Sequence, residues 1–566
     1  MNAHSEPKII VAVDFGTTFS GVAFAYTDEP DDKEVISAWP SGGNRTSDKV
    51  PTEVSYDDRA PGGYRWGFDI RPGQKRHQWF KLQLDPSQKL ATKPSSLARR
   101  YPSRTELPPG YSGDTSQHVT NYLTALMKHT MGVLVKRYSQ KFVDDTPIEY
   151  ILTIPALWSD RARNLTFECA KKAGMSRISC ISEPEAAAIY TLSAIQPNNL
   201  RLGDNFVVCD AGGGTVDLIT YKVTQLNPLQ VEESVVGDGG LCGSTYLNRR
   251  FEEYLENRIG ADVMAKIRPE AKASMIKEFD EFIKPNFSDL AQVDEYFVST
   301  PGIDPTEDNG IQDGFLIVTR AEVRTIFEPV VSEVQELVLN QIRDVERVGG
   351  HIAAVLLVGG FGASDYLRKR LSLCVDPEII IMQPKNAWTA VVRGALKRGL
   401  EGPLISQRQA RRHYGVRYWS RFREGVDPES SKFWSSFEGF YKCTNLMRWY
   451  LNKGDSVSET KAVTLNWSRT VGVSSNLTSE EVAIYCCDDD NAPTYKSWNT
   501  TEVCRLSADL STIPRSKFKR RKSKTLGDPD QYQISYDLEM TMDSASISFV
   551  MRIDGVKYGS VQTEFV

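Results

Sequence analysis

The sequence predicts an α/β domain with a duplicated core followed by a β-sandwich, and three observations carry that prediction. Twice an apolar run ends in an acid and a small-residue turn, at VAVDFGTTFSGVAFAY (11–26) and FVVCDAGGGTVDLITYKV (206–223). A third buried-strand pattern, IAAVLLVGGFGASDYLRKRL (352–371), enters a glycine pair and continues as a helix. In the last third the pattern becomes period-two alternation, as in YQISYDLEMTM and ASISFVMRI, which is the signature of half-buried strands.

The first stretch alone decides little, because a hairpin with Gly16 at its tight turn needs no ligand. Its echo changes the reading. Asp210 ends a second apolar strand, residues 211–215 supply the turn, and another strand follows. Two such hairpins facing each other across a cleft present two carboxylates and two loops of backbone N–H groups. Consecutive N–H groups in a glycine turn make a nest for phosphate oxygens, and the hydroxyls of Thr17, Thr18 and Thr215 add contacts. Carboxylates do not bind phosphate directly, so Asp14 and Asp210 imply a cation between them, Mg2+ with retained waters. Gly359-Gly360 offers close backbone approach to a ribose or base, or serves as an ordinary strand-to-helix turn. No GxxxxGK[ST] occurs, which excludes a P-loop.

A chain of 566 residues exceeds one core and implies about two to four domains. Its 40% hydrophobic and 25% charged residues are ordinary for a globular protein. The net charge of -5 argues against a surface built for nucleic acid, and no specific nucleic-acid partner is expected. The start MNAHSEPKII lacks a signal-peptide pattern, and no long uncharged apolar stretch spans a membrane, so the expectation is a soluble protein of the cytoplasm or nucleus. Nine scattered cysteines form no zinc-ligand spacing and no disulfide framework.

The three glycine segments, in this order, resemble the phosphate-1, phosphate-2 and adenosine motifs of the actin, sugar-kinase and seventy-kilodalton heat-shock ATPase superfamily. LTIPALWSDRARNLTFECAKKAGM (152–175) and ISEPEAAAIYTL (181–192) are similar to segments of the heat-shock chaperones. WFKLQL (79–84) and GDGGLCGSTYLNRRF (237–251) resemble a divergent, twelfth-subgroup-like branch. The resemblance implies a two-lobed actin-like ATPase domain over 1–402, each lobe a ribonuclease-H-like α/β sheet. It also implies a linker over 403–435 and a substrate-binding-like β-domain over 436–566.

Carried onto matching positions, the resemblance implies Asp14 and Asp210 in the magnesium-water shell, Lys81 at the γ-phosphate and attacking water, and Glu183 orienting that water or the metal shell. Gly16, Thr17, Thr18, Gly212, Gly213, Gly214, Thr215 and Gly243 are implied to hold ATP or ADP, with Gly359 and Gly360 beside the adenosine. Lys81, Glu183, Asp210 and Thr215 form the implied catalytic set. Glu281, Lys284 and Ser288 match the nucleoside-contacting helix, but Pro285 stands where the family has an arginine that stacks on adenine. Pro155 and Arg163 match the family's proline switch and its sensing arginine. The segment 399–422 is basic and polar, without the family's acidic, leucine-rich linker.

Strands are expected near 446–451, 460–467, 481–487 and 503–509, with a hairpin turning at Asp543-Ser544. The chain ends at Val566, so the expectation is a sandwich without the family's helical lid. Seven of the ten residues from Arg515 to Lys524 are basic. They read as a solvated protruding loop, or as an import signal or patch for acidic partners or lipid. The expected function is that of an ATP-hydrolysing heat-shock-70-like chaperone or regulator, with unfolded or regulatory protein clients and co-chaperones as partners. The alternative is a nucleotide-sensing scaffold with little turnover; a small-molecule kinase of the same superfamily fits less well.

Overall fold

The computed structural model describes residues 6–43, 46–71, 73–85, 97, 100, 114–195, 200–226, 229–289, 293–306, 309–458, 461–473, 480–508, 510–511, 513–525, 527–542, 547–557 and 562–565. They divide into two units, Met1–Leu404 and Ile405–Val566.

In the first unit, β1 (Ile9–Asp14) is buried at every position, as expected of an unbroken apolar run in the middle of a sheet. It pairs antiparallel with β2 (Phe19–Tyr26), which sets Asp14 opposite Gly21. On its other side it pairs parallel with β3 (Ile148–Ile154), and β3 pairs parallel with β4 (Ile178–Ser182). The second sheet repeats this plan. Here β5 (Asn205–Ala211) pairs antiparallel with β6 (Val216–Leu226), which pairs onward with β7 (Leu229–Gly240). The parallel partners are β8 (Ile352–Val358) on β5 and β9 (Ile380–Met382) on β8. The spatial orders β2-β1-β3-β4 and β6-β5-β8-β9 are therefore the same.

The helices repeat as well, because each parallel pair needs a crossover. In the first half α1 (Thr115–Tyr138) precedes β3, α2 (Asp160–Lys172) joins β3 to β4, and α3 (Glu183–Ala194) follows. After α4 (Thr245–Ile259), the second half has α5 (Arg320–Arg347) before β8, α6 (Asp365–Cys374) between β8 and β9, and α7 (Ala390–Glu401) last. Ser364 caps α6 by accepting from the Leu367 N–H, at the helix start the sequence predicts. Among the described residues no helix is long and apolar enough to cross a membrane.

Near the start of α1, His118 is buried, its ring stacked 4.4 Å from that of His77. Its Nδ1 lies 2.6 Å from the Tyr56 hydroxyl. Burial, reinforced by His77 and opposed by Asp114, pushes the His118 imidazole down from 6.5 to about 4. Between those values the unfolded chain takes up a proton that the folded chain refuses, so stability is lost as pH falls below the unfolded value. Acidification from pH 7 to 5 is expected to cost about 2 kcal/mol through this residue. Denaturant titrations at both pH values test this. His118→Gln should flatten the difference, and an equal acid loss in the variant would refute the assignment.

The second unit is built mainly of two antiparallel sheets. One runs in the order Lys432–Ser435, Phe440–Leu451, His413–Arg421, Glu480–Cys487, Thr501–Ala508, Gln562–Phe565. The other runs Val463–Gly472, Gln531–Met542, Ile547–Ile553, Val556–Lys557. Tyr414, Val416, Ile484 and Cys504 from the first sheet share a buried cluster with Leu465, Leu538, Met540 and Phe549 from the second, as in a sandwich. The predicted hairpin is present, with Met540 opposite Phe549; its turn at Asp543-Ser544 lies outside the described residues.

Two expectations require correction. Residues 403–435, expected as a linker, carry the strands Ile405–Gln409, His413–Arg421 and Lys432–Ser435 of the second unit. The exposed side of His413–Arg421 holds Arg417, Trp419 and Arg421, and those basic residues concealed the apolar alternation of Tyr414 and Val416. The basic run 515–524, read as a solvated loop, includes the strand Lys519–Arg521 paired to Gln531–Met542. Phe518 is buried and anchors it, and Arg520 and Arg521 pair with Asp530 and Glu438.

Candidate functional site

Both acid-bearing turns lie in the first unit, and they touch. An ideal Cβ on Gly213 would fall 2.3 Å from Thr18 Oγ1, and one on Gly214 would fall 2.9 Å from Thr17 Cγ2. Only glycine permits that approach. Gly16 is similarly required, since a Cβ there would lie 2.1 Å from the Phe19 carbonyl oxygen. The second turn closes on itself through the Gly212 N–H donating to the Thr215 oxygen at 2.9 Å. Amides at the start of α4 brace it: Gly243, Ser244 and Thr245 N–H groups donate to the oxygens of Gly214, Gly212 and Gly213. Gly243 thus supports the second turn, with its N–H already committed.

Gly359, at φ +88°, lets the backbone after β8 pass close to the acid of the second hairpin, because a Cβ there would stand 2.4 Å from Asp210 Oδ1. Gly360 lies against Trp388, whose ring meets Phe19 edge-on at 5.7 Å between centroids. The Gly359-Gly360 turn therefore sits beside an aromatic pair reaching back to the first hairpin.

The charged residues converge in a pattern. Asp14 is 3% exposed; Lys49 Nζ donates to its Oδ2 at 2.6 Å and Thr153 Oγ1 to its Oδ1 at 3.3 Å. Lys81, expected from sequence either at the site or on a basic surface, is 2% exposed and donates to Glu183 Oε1 at 2.6 Å. Its ammonium also sits over the faces of Phe15 and Trp158. A short 3-10 turn, Phe80–Leu84, carries it, and Asp85 at the end of that turn accepts from Ser159 just before α2. Glu183 opens α3. Asp210 and Asp217 are both buried and stand directly opposite one another on β5 and β6.

Electrostatics follows from that crowding. Burial raises the Glu183 carboxyl well above the ordinary carboxylate range, Asp14 and Asp217 add to the rise, and Lys81 opposes it. Burial likewise raises Asp210, helped by Glu183, Asp217 and Asp14 and opposed by Lys49. Like charges directly opposite on one sheet face destabilise each other, so Asp210 and Asp217 form a site that positive charge would stabilise. Among the described residues no hydrogen bond or ion pair reaches the Asp210 carboxylate, and no three His, Cys, Asp or Glu side chains converge to grip a metal directly. Hard carboxylate oxygens without a full protein cage suit Mg2+ completed by waters and phosphate. The residues present therefore fit that ion.

The nucleoside-helix residues lie where Phe279–Ile283 forms a π-turn continuing into Lys284–Asn286. Lys284 pairs with Asp280 and Asn248, Glu281 pairs with Lys277, and Ser288 follows the helix end. Arg163 Nη2 donates to the Ala156 oxygen at 2.8 Å, next to Pro155. Two residues of the cluster escaped the sequence reading. Asp217 was accessible in principle, because a hairpin turning over 212–215 places 217 opposite 210. Lys49 carries no local signature, and only the fold brings it in.

Residues 113–372 match the family described as Hsp70 protein, and residues 408–566 match one described as Domain of unknown function (DUF8568). The chain is 22% identical over 544 residues to Heat shock 70 kDa protein 12A of Homo sapiens, covering 80% of this chain and 78% of that protein. It is 22% identical over 512 residues to Heat shock 70 kDa protein 12B of Homo sapiens, covering 74% and 73%. With Mitochondrial-type heat shock protein 70 of Encephalitozoon hellem it shares 26% identity over 278 residues, 47% of this chain and 42% of that protein.

Proposed function

The chain is a divergent member of the Hsp70 family, and from that premise we propose that its first unit is a two-lobed ATPase whose paired turns hold the phosphates of ATP. The observation that carries this reading is the contact of two equivalent hairpin turns, each preceded by a buried acid, beside the Lys81–Glu183 pair. The turn amides and the hydroxyls of Thr17, Thr18 and Thr215 bind phosphate oxygens. Asp210 and Asp217 would hold a Mg2+ ion, which would supply charge neutralisation there. Glu183, with its raised pKa, accepts a proton from the attacking water at Oε, and Lys81 places positive charge where the γ-phosphoryl oxygens gain negative charge. The second unit takes the role of a client- or partner-binding β-domain, with protein clients and co-chaperones as its partners.

A scaffold that binds nucleotide with little turnover is the second reading. Pro285 at the adenine-stacking position and the engagement of Lys284 by Asp280 and Asn248 favour it. Two measurements decide. Millimolar ATP with Mg2+ should raise the melting temperature of the full chain, since ligand at about 100 times its Kd contributes about 2.7 kcal/mol, a shift of a few degrees. Absence of any shift sinks the site. Phosphate release under single-turnover conditions then separates ATPase from scaffold.

A further inference from the structure

We propose that Lys49 is a built-in cation of the nucleotide site, taking over at Asp14 the charge-balancing role of a metal ion, so that nucleotide binding depends only weakly on Mg2+. The proposal rests on the nucleotide-binding reading above and deepens it.

The two hairpins are alike in backbone and differ in what faces the acid. In the second, Asp210 is opposite Asp217. In the first, Asp14 is opposite Gly21, and the space above that glycine is filled by the stem of Lys49: an ideal Cβ on Gly21 would lie 3.2 Å from Lys49 Cγ and 3.5 Å from its Cε. The stem crosses β2 there, and the ammonium ends 2.6 Å from Asp14 Oδ2. Both side chains are almost fully buried, at 8% and 5% exposure.

Its segment is fixed on both sides. Val50 and Pro51 pair with Ser20 and Phe19 of β2. The Thr52 N–H donates to the Thr18 oxygen at 2.8 Å, which ties the segment to the phosphate-1 turn itself. The Ser47 hydroxyl donates to the Lys49 carbonyl oxygen at 2.7 Å. The ammonium also acts on Asp210, holding down its rise. Asp14, the acid that precedes the first turn, is thus charge-balanced without any metal.

The buried Lys49–Asp14 pair carries no net charge, so Asp14 adds little repulsion for an incoming phosphate in a low-dielectric setting where an unbalanced carboxylate would repel it strongly. Asp210 and Asp217 retain their use for a divalent ion, while Asp14 no longer requires one. Mg2+ would then tune turnover more than it permits binding.

The test is titration of the full-length protein with a fluorescent ADP analogue, in excess Mg2+ and in EDTA, for wild type, Lys49→Arg, Lys49→Met and the double variant Asp14→Asn/Lys49→Met. Removal of Mg2+ is expected to weaken wild-type binding less than about tenfold. Lys49→Met should lose at least about a further tenfold in EDTA and recover most of it in Mg2+, with Lys49→Arg nearer wild type. A merely structural lysine would lower affinity equally under both conditions, and that result overturns the proposal. If Lys49→Met does not fold, the double variant, which leaves no uncompensated charge, is expected to keep the small Mg2+ dependence of wild type, and a dependence above about a hundredfold in it overturns the proposal. The wild-type comparison also stands alone. Binding that collapses more than about a hundredfold in EDTA overturns the role of Lys49 but leaves the nucleotide site standing. Absence of binding under both conditions overturns the nucleotide site itself and the proposal with it.

Discussion

Glu183→Gln is expected to slow ATP hydrolysis about 100-fold in single-turnover assays, while its affinity for nucleotide changes by less than about threefold. Glutamine keeps the volume at the start of α3 but cannot take a proton from water. The loss corresponds to about 3 kcal/mol of transition-state stabilisation. The wild-type rate should fall as pH falls, because a base acts only when deprotonated, and the acidic limb should lie above the ordinary carboxylate range, since burial raises Glu183. In Glu183→Gln that limb disappears. Lys81→Ala reaches a similar rate by another route, because Glu183 loses the cation opposing its rise and is protonated at neutral pH. It also removes the hydrogen-bond partner of a buried carboxyl, so the variant is expected to be less stable than wild type. Wild-type turnover in Glu183→Gln would remove that residue from the chemistry.

The second large effect lies away from the reacting atoms, at Gly394. In α7 this residue packs on α3 so closely that an ideal Cβ would stand 1.6 Å from the Ala186 carbonyl oxygen and 2.4 Å from its carbon. No rotamer relieves a backbone collision, so even Gly394→Ala must push the two helices apart. The expected cost is at least about 3 kcal/mol, and the displaced α3 carries Glu183 with it. Gly132→Ala is the control. It lies within α1 with nothing inside 4 Å of its added Cβ, and should stabilise by about 0.5–1 kcal/mol through helix propensity alone. Urea titration of both variants checks the pair; a Gly394→Ala protein as stable as wild type would mean that the α3–α7 contact is looser than described.

Much of the first unit could be read from order and periodicity. The apolar runs of β1, β5 and β8 are buried along nearly their whole length, and each ends at the acid or glycine that the sequence marks. The echo between 11–26 and 206–223 predicted equivalent hairpins, and the sheets share one strand order. The linker was misread because local charge outweighed alternation: Arg417 and Arg421 are the outward residues of a paired strand, and polarity at every second position looks like a polar loop when the inward set is short. The basic run 515–524 misled for the same reason, since its single anchor is Phe518.

The sequence by itself determined which backbone conformations the turns adopt, because glycine, threonine and a terminal acid act over a few residues and leave a local signature. It therefore determined Asp14, Gly16, Gly213 and Asp210 as members of the cluster. Tertiary structure alone decided how their charge is balanced. Lys49 reaches Asp14 across 35 positions of chain and Lys81 reaches Glu183 across 102, and no local preference encodes either pairing. Each depends on the packing of separate segments into one low-dielectric space, where a carboxylate must acquire a partner or a proton. The local hairpin sets Asp217 opposite Asp210, but Asp14 and Glu183 have lysines because of where the chain crosses itself, and the chemistry available to the site follows from that crossing.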